Sequence, residues 1–347
     1  MPLEFHSTVP EDLPAVSALM LTAFKAGPEA PFVDQKLLYW KYFEPGPRWP
    51  GSRGYVLKSG EEILAHCGIW PINLICADKS VTCNLFVDWV SDRKLPGAGF
   101  LLKRKLMTMT EATIVVGGSE DTRAVVPKMG FQPAGEVSFF VKIVRPWKQY
   151  RTRPSEGISR DAARLLRNTF WSHSTMPASI PKDWSAEPIN SFVDGELVTG
   201  CQNGHPTPWR NAEYLNYWLR SPSAVVSSFL IRKSKRIHGY FLLSRVGGQT
   251  RIADIRLHST KQDEWNIAYR LAAEAAAHDP ETCEIIAAAS TLFSELALLS
   301  SGFRQRGGAP IFLFDPQEKL IGSPAIFWNM VDADAAYLYD PEHPYTS

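Results

Sequence analysis

Lys94, Gly97 and Gly99 are spaced in this chain as the turns of an anion-binding loop, and Asp88 is the lone carboxylate on the strand-like run just ahead of them. The loop Lys94-Leu95-Pro96-Gly97-Ala98-Gly99-Phe100 follows a β-rich run, Val81 to Val90. It opens an amphipathic helical pattern in which Leu101, Leu102, Leu106 and Met109 are apolar. Strand, glycine loop and helix in that order turn several backbone N–H groups toward one point, and the helix N-terminus adds partial positive charge there. Glycine lets this backbone approach phosphate oxygens with no Cβ in the way, and Lys94 contributes a point charge. The same residues would also serve a plain strand-to-helix turn.

Asp88 is an ionisable group in an apolar strand, which makes it a candidate proton acceptor; its bland reading is a hydrogen-bonded or solvent-facing strand residue. Glu120 and Asp121, just past the strand end Val115-Val116-Gly117-Gly118-Ser119, are alternatives that also read as acids at a helix N-terminus. His66, in the strand from Ile63 to Trp70, is a third candidate, although a lone strand histidine is usually structural. Lys103-Arg104-Lys105 could reach a further phosphate or simply form a solvated helix face. His205, His238, His258 and His278 show no ligand spacing, so no metal is expected.

The positioning elements follow from pattern and punctuation. Leu3 to Thr8 reads as a strand. Pro10 opens a helix whose apolar face is Leu13, Val16, Leu19, Met20 and Phe24. A short helix runs from about Gln35 to Tyr42. Strands follow over 54–58, 63–74 and 81–90. After the glycine loop and its helix come a strand over 113–116, a helix over 121–129 stopped by Gly130, and a strand over 137–144. Residues 147–190 read as an irregular connection with a possible helix from Arg160 to Phe170. The pattern then returns. Tyr214 to Trp218 echoes Leu37 to Trp40, three strands run over 225–232, 237–244 and 251–257, and an alanine-rich helix covers 264–278. A strand over 284–289, a helix over 291–300 and Gly302-Phe303, matching Gly130-Phe131, complete the echo. The second copy has no glycine in its loop, His258 to Asp263, so phosphate could not lie close there.

The order of elements and Lys94-x-x-Gly97-x-Gly99 resemble the pyrophosphate loop and fold of the GNAT superfamily of N-acetyltransferases, with Lys where the family has Gln or Arg. Ser119 through Lys128-Met129-Gly130-Phe131 resembles a second family segment. The resemblance implies an α/β protein of two tandem GNAT-like domains, each a mixed, mostly antiparallel sheet flanked by helices. The first would be 1–146 with the glycine loop; a linker would cover 147–190, a degenerate second domain 191–325, and a C-terminal tail 326–347, its aromatic residues packing on one domain. It implies acetyl-CoA as cosubstrate, held by Val90, Lys94, Leu95, Pro96, Gly97, Ala98, Gly99, Phe100 and Ser119, and direct transfer of an acetyl group to an amine. Asp88, Glu120 and His66 are the candidates for proton transfer. The strand before the loop would splay from its neighbour and free a backbone N–H for the thioester carbonyl. The tyrosine that usually protonates the departing thiolate falls on Val126 here. The alternatives are a non-catalytic acyl-CoA-binding or interaction module and a Fem-type aminoacyltransferase.

Composition bounds the partners. The chain has 347 residues, 45% hydrophobic and 21% charged, enough for about two cores. A formal net charge of +1 gives no global field for nucleic acid or an anionic membrane; the family resemblance implies an amine of a small molecule or sugar as the acceptor. The five cysteines are scattered without CxxC spacing, as in a reducing compartment, and the N-terminal residues carry no apolar signal core; a cytoplasmic location is therefore expected.

Overall fold

The structure is a computed structural model that describes residues 2–46, 48–76, 79–173, 179–320 and 322–347. The first half contains β1 (Glu4–Ser7), α1 (Leu13–Phe24), α2 (Gln35–Tyr42), β2 (Gly54–Ser59), β3 (Glu62–Cys76) and β4 (Lys79–Ser91). It continues with α3 (Ala98–Leu106), β5 (Ala112–Val116), α4 (Glu120–Val125) and β6 (Gln132–Ile143). Next come α5 (Pro146–Thr152) and α6 (Ile158–His173). The second half contains β7 (Trp184–Ile189), β8 (Thr207–Pro208), α7 (Ala212–Trp218), β9 (Val225–Lys233), β10 (Arg236–Val246) and β11 (Gln249–Leu257). It ends with α8 (Gln262–His278), β12 (Glu284–Ala289), α9 (Leu292–Ser300) and β13 (Arg304–Phe314).

The halves do not keep separate sheets. One sheet runs β1-β2-β3-β4-β5-β13-β6-β12-β11-β10-β9-β7, with β8 attached to β3. It is mostly antiparallel; β4–β5 and β11–β12 are parallel pairs. The order is symmetric about its centre because each half gives its last strand to the other. β13 lies against β5, with Ile311 opposite Val116, and β6 lies against β12, with Phe140 opposite Ala287. The two exchanged strands pair with each other from Arg304↔Val141 to Leu313↔Gln132.

Several differences from the sequence expectation have one cause, a partner distant in sequence. β6 begins at Gln132 rather than Val137 because β13 pairs with those first residues. β13 carries Gly307, Gly308 and Pro310, which hide it from propensity. The stretch expected to be irregular holds α5, α6 and β7. Pro188 in β7 is tolerated because the strand is at the sheet edge, paired only with β9. The last turn of the helix expected to reach Met129 gives way at Val125 to a 3₁₀ turn containing Pro127, closed by Gly130 at φ 91°.

The repeated landmarks meet in space. The Asp34 carboxylate caps α2 by accepting from Lys36 N at 2.9 Å and Leu37 N at 3.0 Å. Its last carbonyls are satisfied by the Arg53 guanidinium, which donates to Trp40 O at 3.0 Å, Lys41 O at 2.7 Å and Glu44 O at 2.8 Å. Trp40 on α2 stacks on Tyr217 of α7 at 4.4 Å and meets Trp218 edge-on at 5.3 Å. The tail fills this seam rather than lying on one half: Tyr337 touches both Trp40 and Trp218. On one sheet face α2, α7 and the tail share one continuous core, beside which α1 packs in its own cluster with Tyr42, Val56 and Val90, while α3 and α4 cover the other face of the first half and α8 and α9 that of the second.

The exchange predicts cooperative folding. Residues 1–183 expressed alone would leave β5 and β6 as bare edges and should stay unfolded or aggregated by circular dichroism and size-exclusion chromatography, whereas co-expression with 184–347 should restore a soluble complex. A stable monomeric first half would contradict this.

Candidate active site

β4 and β5 pair only at Cys83↔Ala112, Asn84↔Thr113 and Leu85↔Ile114, yet β4 continues to Ser91. Past Leu85 the two strands form a fork. The bend has a local cause on the opposite edge of β4. The register with β3 shifts between His66↔Val90 and Gly68↔Val87, and Asp88 sits in the bulge with φ 51°. An L-residue at positive φ is strained, and aspartate is among those that tolerate it best. The bulge also breaks the alternation of side chains. Phe86 and Trp89 turn toward α3, while Asp88 and Val90 turn toward α1 and α2.

The glycine loop starts α3 beside this fork. Gly97 is the helix N-cap at φ 93° with no side-chain cap, and a Cβ there would point into open space. Gly99 has the other role. A Cβ on it would stand 3.0 Å from Trp89 Nε1 and 3.1 Å from Ser91 Oγ, so glycine lets α3 lie against β4, and Trp89 Nε1 donates to Gly99 O at 3.0 Å. Pro96 and Gly97 are exposed, Leu95 and Phe100 half-buried, and Ala98 and Val90 buried. Lys94 is exposed and pairs with Glu62 at 2.8 Å and Asp92 at 3.7 Å.

The candidate proton carriers separate into two groups. The Asp88 side chain is nearly buried and ion-paired to Lys41 of α2, and it accepts from the Tyr42 hydroxyl at 2.7 Å. Burial raises its pKa, but the Lys41 charge and these hydrogen bonds outweigh burial and hold the carboxyl below its usual range. His66 Nε2 meets the same Tyr42 hydroxyl at 2.9 Å, and burial lowers its pKa to about 4, so it is neutral at pH 7. Asp88 and His66 are therefore brought together through Tyr42. Glu120 and Asp121 are exposed in the first turn of α4, where Ser119 is the N-cap and accepts from Thr122 N at 3.2 Å.

Lys41 and Asp334 were not read from the sequence, and Lys103 was read differently. Lys41 lies inside an apolar helical run, which was its available signal. Half-buried Asp334, on the tail, has its carboxyl pushed up to about 6 by burial, against the pull of Lys41 and with the push of Asp88. The next residue, Ala335, lines a cavity of about 860 Å3 walled by the α1–α2 connection and the tail, with Phe139, Ile286 and Arg251 from the sheet. Lys103 is not on a solvated face: it falls on the Gly99, Leu102, Leu106 stripe of α3 and is fully buried. In the second half the corresponding helix start is taken. Glu264, in the first turn of α8, pairs with Lys233 and His238, both at 2.7 Å, and Gln262 donates to Asn266 and to Phe293 O.

No family model and no curated protein matches the sequence. Solved structures do match. A GCN5-related N-acetyltransferase from Anabaena variabilis superposes with a TM-score of 0.58 at 12% identity, over 90% of this chain and 73% of that one. A probable N-acyltransferase from Enterococcus faecalis gives 0.57 at 12% identity, over 93% and 75%. The N-myristoyltransferase of Saccharomyces cerevisiae, solved with myristoyl-CoA bound, gives 0.61 at 13% identity, over 91% and 84%. The chain shares the GNAT fold of these structures. Within this GNAT fold, the fork, the bulge at Asp88 and the start of α3 converge on one region of the first half. Among the described residues no group of His, Cys, Asp and Glu is arranged to hold a metal ion, and no helix is long and apolar enough to cross a membrane.

Two stability measurements test the buried cluster. Asp88→Asn keeps the shape and the permitted backbone but leaves Lys41 buried without its counter-charge, and should cost about 3–5 kcal/mol in denaturant unfolding. His66 has a folded pKa below its unfolded value near 6.5. The unfolded chain therefore binds the extra proton first, and His66 removes stability as pH falls from about 6.5 toward 4. His66→Gln should lessen that loss relative to wild type by up to about 3 kcal/mol. Identical pH profiles for the two proteins would contradict it.

Proposed function

We propose that the protein is an acyl-CoA-dependent N-acyltransferase that moves an acetyl group directly from acetyl-CoA to an amine of a small molecule or sugar. The observation that carries this reading is the fork between β4 and β5 opening beside the uncapped start of α3. A strand bulged at Asp88 leaves backbone groups past Leu85 without a β5 partner, and Gly97 faces open space where a phosphate would lie. The neighbours sharing the fold support the acyl-CoA class. In this reading the unit ending near residue 146 binds the cofactor through Val90, Lys94 to Phe100 and Ser119, and the unit from about 191 is a degenerate copy. Glu264 at the start of α8 would repel a phosphate there.

Acyl transfer needs the amine neutral. Asp88 and His66 both have depressed proton affinity, and Glu120 is exposed at α4, so Asp88 is best suited to order a water on the α1–α2 face. Asp334, which feels the charges of both Lys41 and Asp88, has a carboxyl pushed up to about 6 and is the better acceptor of the proton. The cavity lined by Ala335 would admit the acceptor. A covalent cysteine intermediate is disfavoured. Cys67, the thiol beside the fork, is fully buried, and burial raises its pKa far above neutrality. The ion pair that ties up Asp88 favours the second reading, a non-catalytic acyl-CoA-binding module, and thiol release in the presence of a panel of amines separates the two.

Isothermal calorimetry with acetyl-CoA should show one site per chain. Gly97→Val should abolish binding while costing only about 1–2 kcal/mol of stability, because its Cβ meets no neighbour but occupies the phosphate position at an unfavourable φ. Two sites per chain, or a tight-binding Gly97→Val protein, would overturn the assignment.

A further inference from the structure

A buried lysine stands in the fork. Lys103 is fully buried, and among the described residues its Nζ has no hydrogen-bond partner. Instead it is ringed by aromatic faces, 3.9 Å from the centroid of Trp89, 5.1 Å from Phe86 and 5.4 Å from Phe131. Each cage residue has a fixed place. Phe86 is the first residue of β4 past its pairing with β5, Trp89 follows the bulge and is tethered to Gly99, and Phe131 follows the 3₁₀ turn after α4. The ammonium therefore sits where the two strands part, between the helices that flank the opening.

Such a site is costly for mere structure. A methionine would fill the same stripe of α3 without desolvating a charge, and the aromatic faces recover only part of the loss. Among the described residues the titratable group facing Nζ is the Cys67 thiol on β3, which burial keeps protonated, and no carboxylate neutralises the lysine. Burial lowers the Lys103 pKa to about 8, which leaves it mainly cationic near pH 7 while making its proton easy to give.

We infer that Lys103 is the general acid of this site, stabilising the departing thiolate of the acyl donor by charge and then protonating it. The inference rests on reading the fork as the acyl-CoA site. It supplies a group for the role that Val126 cannot play. The acceptor nitrogen bonds to the acyl carbon, and the carbon–sulfur bond breaks with its electron pair staying on sulfur. Lys103 Nζ passes one proton to that sulfur, leaving a neutral thiol and a neutral amine. The proton lost by the acceptor nitrogen passes by way of Asp334 to solvent, and a solvent proton restores Lys103, so charge and atoms balance.

The test needs no acceptor. Free coenzyme A is bound to the full chain, and its thiol is titrated by the ultraviolet absorbance of the thiolate. In wild type the bound thiol should ionise about one unit or more below its value in water, because an opposite charge lies close to it. In Lys103→Met the shift should vanish, although coenzyme A still binds and the melting temperature is equal or higher. Lys103→Arg should retain the downward shift, since arginine keeps the charge. Equal thiol pKa values in wild type and Lys103→Met, with coenzyme A bound to both, would overturn the assignment of Lys103 alone. A wild type that does not bind coenzyme A would instead remove the reading of the fork, and this inference with it.

Discussion

The insertion of β13 between β5 and β6 is the constraint from which the rest of the molecule follows. β5 is a short strand with β4 along part of one side and β13 along the other. β13 can reach it only because β6 has moved outward to pair with β12. The exchange joins two sets of strands into one sheet and fixes the half-sheets relative to each other by backbone hydrogen bonds. The seam of Trp40, Tyr217, Trp218 and Tyr337 then closes over one face, and this seam positions α2, whose Lys41 meets Asp88.

The first half concentrates its buried charge near the fork. Lys41 and Asp88 compensate each other, and Tyr42 links them to a neutral His66. A second such group, Arg210 between Asp254 and Asp332, ties the tail to the second half and has a plain structural use, since all three are buried and mutually paired. Lys103 breaks the pattern, being buried without any such partner among the described residues. Buried charges that are paired explain themselves through stability, and one that is not calls for an explanation in chemistry.

Much of the frame was legible in the sequence because it is written locally. The alanine-rich α8, the β-branched β5, the stop at Gly130 and the strand–glycine loop–helix at Gly97 depend on propensity, capping and turn chemistry within a few residues. The duplicated Tyr-Trp and Gly-Phe landmarks were visible for the same reason. Asp88 and His66 stood out as polar residues in apolar strands, but their pairing did not, because Tyr42, which joins them, comes from a helix earlier in the chain.

The sequence by itself determined most of the helices and strands, β13, β7 and α5 excepted, and the glycine turns at Gly97 and Gly130 where positive φ is needed. Tertiary structure decided the rest. It placed the glycine-bearing β13 in the centre of the sheet, where backbone pairing with β5 and β6 overrides poor propensity. It drew the tail across the seam, and it turned Lys103 from one member of a basic triplet into a caged cation. These outcomes depend on partners far apart in the chain. Burial and pairing are properties of the packed neighbourhood, and no local pattern of residue types encodes which distant surface will supply it.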